Sequence, residues 1–89
     1  MSTVDAIKQA LASLEPDIIE IEDDSASHAG HAGNTGGGHY NLFIVSQAFE
    51  GLSLLQRHKL VFAQVDDLMQ SQIHALSIRA KTPTESNAR

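Results

Sequence analysis

The sequence predicts a single small α+β domain in which helices pack on a three-stranded sheet. Two observations on patterning and one on length predict this class. Apolar residues recur at steps of three and four in two segments, as on one face of a helix, and they alternate with polar residues in the segments that lie between and after them. A chain of 89 residues is long enough for one hydrophobic core.

The first helix is predicted near the start of the chain. Ser2 or Thr3 can cap it, Asp5 suits the positive end of its dipole, and Pro16 ends it, because proline cannot continue a helix. The apolar residues that share its buried face are Val4, Ile7, Leu11 and Leu14.

A strand is predicted from Asp17 to Asp23, where Ile19 and Ile21 alternate with acidic residues. The acidic cluster from Glu20 to Asp24 is one candidate cation site, but a run of this kind is more typical of a solvated strand face.

A flexible hairpin loop is predicted over residues 24–38, because this stretch holds five of the six glycines and no apolar residue larger than alanine. The three consecutive glycines lack the Lys-Ser or Lys-Thr pair and the following helix that a phosphate cradle requires. The next segment, His39 to Gln47, is rich in β-branched and aromatic residues on both faces, which indicates the central strand of the sheet.

The longest helical pattern follows, and periodicity alone predicts one continuous helix. Ser53 and Gln56 have the spacing of a capping box, and Gly51 suits the preceding turn. After Gln72 the pattern becomes alternating, which predicts a strand with His74 on the same face as Leu76 and Ile78. The apolar face of the helix is predicted to consist of Leu54, Leu55, His58, Val61, Phe62, Val65, Leu68 and Met69.

Composition excludes several classes of site. The chain has no cysteine, so it has no disulfide, no cysteine-based zinc site and no thiol nucleophile. Its formal charge of −5 has the wrong sign for tight binding to a phosphate backbone. The sequence shows neither a signal peptide pattern nor a long apolar run, so we expect a soluble cytoplasmic protein without membrane contact.

Five histidines are the candidates for chemistry. By spacing alone, His74 is either a half-buried structural residue or a ligand, and His58 is more typical of a hydrogen-bonded packing residue. His28 and His31 belong to a solvated linker or bind a metal, and together with His39 they form a candidate zinc, copper or nickel site within one chain. The sequence has no nucleophile motif, so we do not expect an enzyme.

The segments FEG, LLQRHKLVF and IHALSI, in this order and preceded by HYNLFIVS, resemble the BolA family over roughly Val4 to Pro83. The resemblance implies a domain over residues 1–83 with the type II KH-like αββααβ fold and a three-stranded mixed sheet. It also implies a break in the long helix near Ala63 to Asp66. Residues 84–89 are expected to form a disordered tail, since the segment from Thr82 onward is polar.

The same resemblance implies a function. In this family the histidine of IHA is a cluster ligand, which corresponds to His74, and the second ligand comes from the loop between the first two strands. His28 is preferred, His31 is next and His39 is third. The expected cofactor is a [2Fe-2S] cluster shared with a monothiol glutaredoxin and its glutathione, and Arg57 and His58 are expected to shape the partner surface. The chain would then be an adaptor in iron-sulfur cluster trafficking or in iron and redox regulation.

The alternative is a nucleic-acid-binding transcriptional regulator of the BolA type, active in stress responses. Four basic residues would carry it: Arg57, Lys59, Arg79 and Lys81. The acidic charge and the absence of a Gly-X-X-Gly clamp oppose it. We expect the free chain to be a monomer or a weak homodimer.

Overall fold

The chain folds around a three-stranded mixed sheet, as the sequence predicts. The structure is a computed structural model, and it describes residues 2–24 and 38–87. The strands lie in the order β1-β2-β3, with β2 antiparallel to β1 and parallel to β3. The elements are α1 (Thr3–Leu11), β1 (Ile18–Asp23), β2 (Gly38–Val45), α2 (Leu54–Ser71), β3 (Ile73–Lys81) and α3 (Pro83–Asn87). The predicted fold class and the central position of β2 are confirmed.

Helix α1 begins at the cap that the sequence offers. The Ser2 hydroxyl accepts a hydrogen bond from the Asp5 N–H at 3.1 Å, so Ser2 and not Thr3 is the N-cap. The helix continues into a 3-10 turn at Ala12–Leu14, and Glu15 then takes a left-handed conformation with φ of 48°. The chain is thereby turned into β1.

One face of the sheet carries the core. Tyr40, Leu42 and Ile44 alternate along β2 and pack with Ile7 and Leu11 of α1. All five side chains are buried. The core is completed by Leu14, Phe49, Val61, Val65, Ile73 and Ala80.

The opposite face of the sheet is open. Glu20 and Glu22 are exposed there, as the solvated-face interpretation of the acidic cluster expects. The Asn41 side chain donates to Glu22 Oε1 at 2.8 Å, and the Arg79 guanidinium lies 5.8 Å from the centroid of the Phe43 ring. In the described part of the chain, this face therefore carries polar and charged side chains together with the Phe43 ring.

Helix α2 is one continuous helix of 18 residues. The break expected near Ala63 to Asp66 from the family resemblance is wrong, because no proline or glycine interrupts Leu54–Ser71, and the single helix predicted from periodicity is confirmed. The second helical element is instead a 3-10 turn at Gln47–Phe49. The capping box is present, with Ser53 N–H donating to Gln56 Oε1 at 2.9 Å and Gln56 N–H to Ser53 Oγ at 3.2 Å. Gly51 has φ of 77°, as its turn requires.

The buried face of α2 is rotated from the predicted one. Val61 and Val65 are fully buried as expected, but Arg57 occupies the inward position of the first turn. Leu54 and Leu55 are 68% and 64% exposed, and Phe62 is also exposed, so these three were wrongly assigned to the core. The reason is that Arg57 uses this inward position to reach hydrogen-bond partners beneath the helix.

The segment predicted as a disordered tail over residues 84–89 is helical up to residue 87, where the described part of the chain ends. Pro83–Asn87 form helix α3, in which Glu85 N–H donates to the Thr82 hydroxyl and Thr82 N–H donates to Glu85 Oε1. An ion pair with Arg57 holds the same carboxylate. The polar composition of the segment was misleading, because a charged partner elsewhere in the fold orders it.

Among the helices that the structure describes, none combines the length and the apolar character needed to cross a membrane.

Candidate metal centre

A bulge at the start of β3 positions His74. Gly38 pairs with Ile73 and His39 pairs with Ala75, so His74 is an extra residue in β3 that has no partner across the ladder. The predicted placement of His74 on the face of Leu76 and Ile78 is wrong, since this extra residue reverses the alternation before Ala75. Ile73 takes the core side and is buried, whereas His74 is exposed.

The bulge brings His74 next to His39. The centroids of the two imidazole rings lie 5.0 Å apart, and the ring planes are inclined at 41°. His39 is half-buried and lies on the central strand, whereas the His74 imidazole is exposed to solvent. His39, the third choice for the second ligand, is therefore the candidate that the described structure places beside His74.

The segment that carries the preferred second ligand starts and ends beside this pair. Asp24 N–H donates to the His39 carbonyl at 2.8 Å, and Gly38 N–H donates to the Gln72 carbonyl at 3.0 Å. Residues 25–37 connect Asp24 to Gly38 by chain continuity. His28 and His31 belong to that segment and lie outside the described residues.

The described donors at this end of the sheet are the imidazoles of His39 and His74. Within residues 2–24 and 38–87, no cluster of three or more histidine, cysteine or acidic side chains is arranged to hold a metal ion. An exposed imidazole is nevertheless a competent ligand for iron or zinc, because a partner molecule can supply the remaining ligands. The chemistry of the exposed His74 imidazole is thus compatible with an iron-sulfur cluster as well as with a single metal ion.

Arg57 and His58 lie at the other end of β3. His74 and Ala80 are six residues apart, or about 20 Å at about 3.3 Å per residue of strand. Arg57 Nη1 donates to the Ala80 carbonyl at 3.1 Å, and Nε donates to the Leu52 carbonyl at 3.0 Å. Arg57 is 7% exposed, and the contacts of its side chain that the structure describes are internal. Its assignment to a partner surface stays a prediction.

The electrostatics at this end are dominated by one ion pair. Arg57 Nη1 lies 2.6 Å from Glu85 Oε1. The hydrogen bond from Arg57, together with the one from the Thr82 N–H, lowers the pKa of Glu85 from 4.5 to about 2. The ion pair borders a surface hollow of about 490 Å³, which His58 and the exposed Leu54 also line. The half-buried His58 is therefore accessible to a partner, whereas the buried Arg57 forms part of the wall of the hollow.

Comparison with known proteins gives the family. The family described as BolA-like protein matches residues 10–85. The chain belongs to the BolA family. This BolA domain has the three-stranded mixed sheet that the resemblance implied, and the histidine of its IHA motif, His74, lies on the bulge.

Relatives of this BolA chain include larger proteins. It is 50% identical over 78 residues to SufE-like protein 1, chloroplastic/mitochondrial, of Arabidopsis thaliana, covering 81% of this chain and 21% of that protein. It is 48% identical over 77 residues to Protein BOLA1, chloroplastic, of the same plant, covering 82% of this chain and 48% of that protein. The chain thus spans less than half the length of these two relatives. Their names place them in organelles, and the cytoplasmic location of this chain stays a prediction.

A solved structure supports the fold. The BolA domain of SufE1 from Arabidopsis thaliana superimposes with a TM-score of 0.83 at 48% identity, covering 96% of both chains. The BolA architecture therefore extends across the described part of this chain, including the strand that carries His74.

Proposed function

We propose that this BolA chain is a non-enzymatic adaptor that binds a monothiol glutaredoxin and shares a [2Fe-2S] cluster with it. In this proposal His74 is one ligand, and His28 or His31 is the second. The partner's cysteine and a glutathione hold the other iron. The adaptor acts in iron-sulfur cluster trafficking or in iron and redox regulation.

The exposed imidazole of His74 is the observation that supports this proposal best. A ligand for a cluster on another protein must reach beyond its own surface, and His74 does so from a backbone that is fixed on both sides. Ile73 before it pairs with Gly38, and Ala75 after it pairs with His39. The side chain therefore needs no unfolding of the sheet to meet a partner.

The length of the loop segment supports a second ligand from the same chain. His28 is four residues from Asp24, which is a reach of about 14 Å at about 3.5 Å per extended residue. His31 is seven residues from both Asp24 and Gly38, which is about 25 Å on the same basis. Asp24 is hydrogen-bonded to His39, whose ring neighbours His74, so both loop histidines are within reach.

The absence of cysteine from the sequence sets the chemistry of the ligands. Any ligand from this chain to a shared cluster is then an imidazole or a carboxylate. When bound, the cluster supplies electron-transfer chemistry, and replacing thiolates by neutral imidazoles raises its reduction potential, as in Rieske centres. His74 and the loop histidine contribute coordination and set the net charge.

The direct test is to mix the chain with a cluster-loaded monothiol glutaredoxin and to record visible absorption and circular dichroism. We expect a spectrum that neither protein gives alone. His74→Ala should abolish the change, and one of the variants His28→Ala and His31→Ala should do the same. An unaltered spectrum with His74→Ala would overturn the proposed ligand.

His58→Gln is the matched control for this experiment, because His58 is a histidine on α2 beside the hollow, away from His74. If it contacts the partner, its loss should weaken association without changing the spectrum of the complex that forms. A spectrum altered in the same way as by His74→Ala would show that the assay reports association and not ligation.

Nucleic-acid binding remains the alternative, and the positions of the basic residues weaken it. Arg57 donates hydrogen bonds to Glu85 and to the carbonyls of Leu52 and Ala80. The Arg79 guanidinium lies over the Phe43 ring. A gel-shift titration at physiological salt tests the alternative, and affinity no greater than for random DNA would end it.

A further inference from the structure

We infer that His39 and His74 together form a two-imidazole site for one zinc-like divalent metal ion when the chain has no partner. The site itself is independent of the proposed function. Its regulatory consequence rests on that function, because the same His74 is the proposed cluster ligand.

The spacing of the two rings matches that of two imidazoles on one tetrahedral ion. Zinc lies about 2.0 to 2.1 Å from a ligating nitrogen, hence about 3.2 Å from the centre of that imidazole ring. Two such rings at the tetrahedral angle have centroids about 5.2 Å apart. The observed separation of His39 and His74 is 5.0 Å.

The backbone holds both residues in place before any ion binds. His39 belongs to the central strand and pairs with Ala75, and the next pair is Tyr40 with Leu76. On the other side of the bulge, Gly38 pairs with Ile73. Strand pairing therefore fixes the backbone of both residues before any ion binds, which lowers the entropy cost of binding.

The donor chemistry selects the class of ion. Neutral imidazole suits zinc, copper and nickel, whereas calcium and magnesium require oxygen ligands. Two protein ligands leave two tetrahedral positions, which water or a side chain of another molecule can occupy. The exposure of His74 keeps those positions open to solvent.

An ion at this site would engage the nitrogen that His74 offers to a cluster. Zinc and cluster binding at His74 are then mutually exclusive, and the free chain is held in a form that cannot accept the cluster until the ion leaves. Zinc concentration would thereby regulate the supply of competent adaptor.

The test is a zinc titration of the isolated full chain, followed through its imidazole NMR resonances. The ring signals of His39 and His74 should shift together and saturate at one zinc per chain. His39→Gln and His74→Gln should each weaken binding by about tenfold or more, since even the loss of an outer-shell partner of a metal ligand costs about tenfold. The variants His58→Gln and His28→Gln/His31→Gln are the controls that retain both proposed ligands.

The inference is overturned if the wild-type rings of His39 and His74 do not shift, or if either single variant keeps wild-type affinity. Binding lost only in the loop double variant would assign the ion to His28 and His31 instead. The wild-type ring shifts decide the matter even if a variant fails to fold. Because no glutaredoxin is present, failure of this site and failure of the proposed adaptor function are distinguishable.

Discussion

Arg57 and Glu85 form a bidentate ion pair that joins the first turn of α2 to α3. Nη1 lies 2.6 Å from Oε1, and Nη2 lies 3.2 Å from Oε2. Nη1 also donates to the Ala80 carbonyl at the end of β3. One side chain therefore connects α2, β3 and α3.

Replacement of Arg57 by lysine should destabilise the fold although it keeps the charge. An ammonium group cannot reproduce the bidentate pair and the two bonds to the Leu52 and Ala80 carbonyls. We expect the free energy of unfolding to fall by about 1 to 3 kcal/mol in urea denaturation. Lys59→Ala, at an exposed position on the same helix, should change it by less than about 0.5 kcal/mol. Equal effects of the two substitutions would contradict the structural role of Arg57.

Acid should weaken the fold through Glu85. Its carboxylate has a pKa of about 2 in the folded state against an ordinary value of 4.5, so the unfolded state takes up its proton first as the pH falls. The stabilising contribution is complete above pH 4.5 and is lost between there and about pH 2. Glu85→Gln should reduce the slope of stability against pH within that window.

The control for this prediction is the same substitution in an Arg57→Ala background. Without the guanidinium, Glu85→Gln should alter the pH dependence far less, because the largest cause of the lowered pKa has been removed. An effect of equal size in both backgrounds would assign the acid sensitivity to other carboxylates.

Replacement of Gly38 by alanine should strain the start of β2. Gly38 is buried, and an added Cβ would overlap the ring of Tyr40 two residues along the same face. Overpacking of this kind costs about 1 to 3 kcal/mol, measurable by thermal or urea unfolding. The penalty should shrink in a Tyr40→Leu background, where the ring is absent. An undiminished penalty would place the strain in the backbone.

Deletion of His74 should leave a folded protein. The bulge contributes one extra residue, so its removal converts β3 into a regular ladder in which Ile73 and Leu76 still face the core. We expect a dispersed amide NMR spectrum and a loss of less than about 2 kcal/mol on unfolding.

Deletion of Ser77 is the matched control. It would reverse the facing of Ile78 and Ala80, which pack on the core side, and should cost far more or prevent folding. Similar spectra for the two deletions would mean that the bulge at His74 does not determine which side chains of β3 face the core.

Local rules predicted much of the fold. Three predicted features that depend only on neighbouring residues are present in the structure. They are the capping box of Ser53 and Gln56, the turn at Gly51 and the alternation of Ile19 and Ile21 with acidic residues. The inward position of Arg57 was missed because its partners lie 23 and 28 residues away, at Ala80 and Glu85. Helix α3 was missed for the same reason.

The candidate site was predicted only in part. His74 was singled out by its strand-end position and by the family resemblance, but its facing depends on a bulge that the alternating pattern of β3 does not reveal. The contact of His39 with His74 depends on the parallel register of β2 and β3, which the sequence pattern does not specify. The acidic cluster and the glycine-rich segment between the first two strands did not indicate this contact either.

Backbone hydrogen bonds at Asp24 and Gly38 attach both ends of the segment between β1 and β2 to the rest of the fold. We therefore expect insertions or deletions between these two positions to leave the pairing of β2 with β3 intact and His74 in its place. A segment of different sequence could then be grafted between Asp24 and Gly38 without redesign of the domain. In the proposed adaptor, one ligand would then belong to the sheet and the other to a segment that can be exchanged.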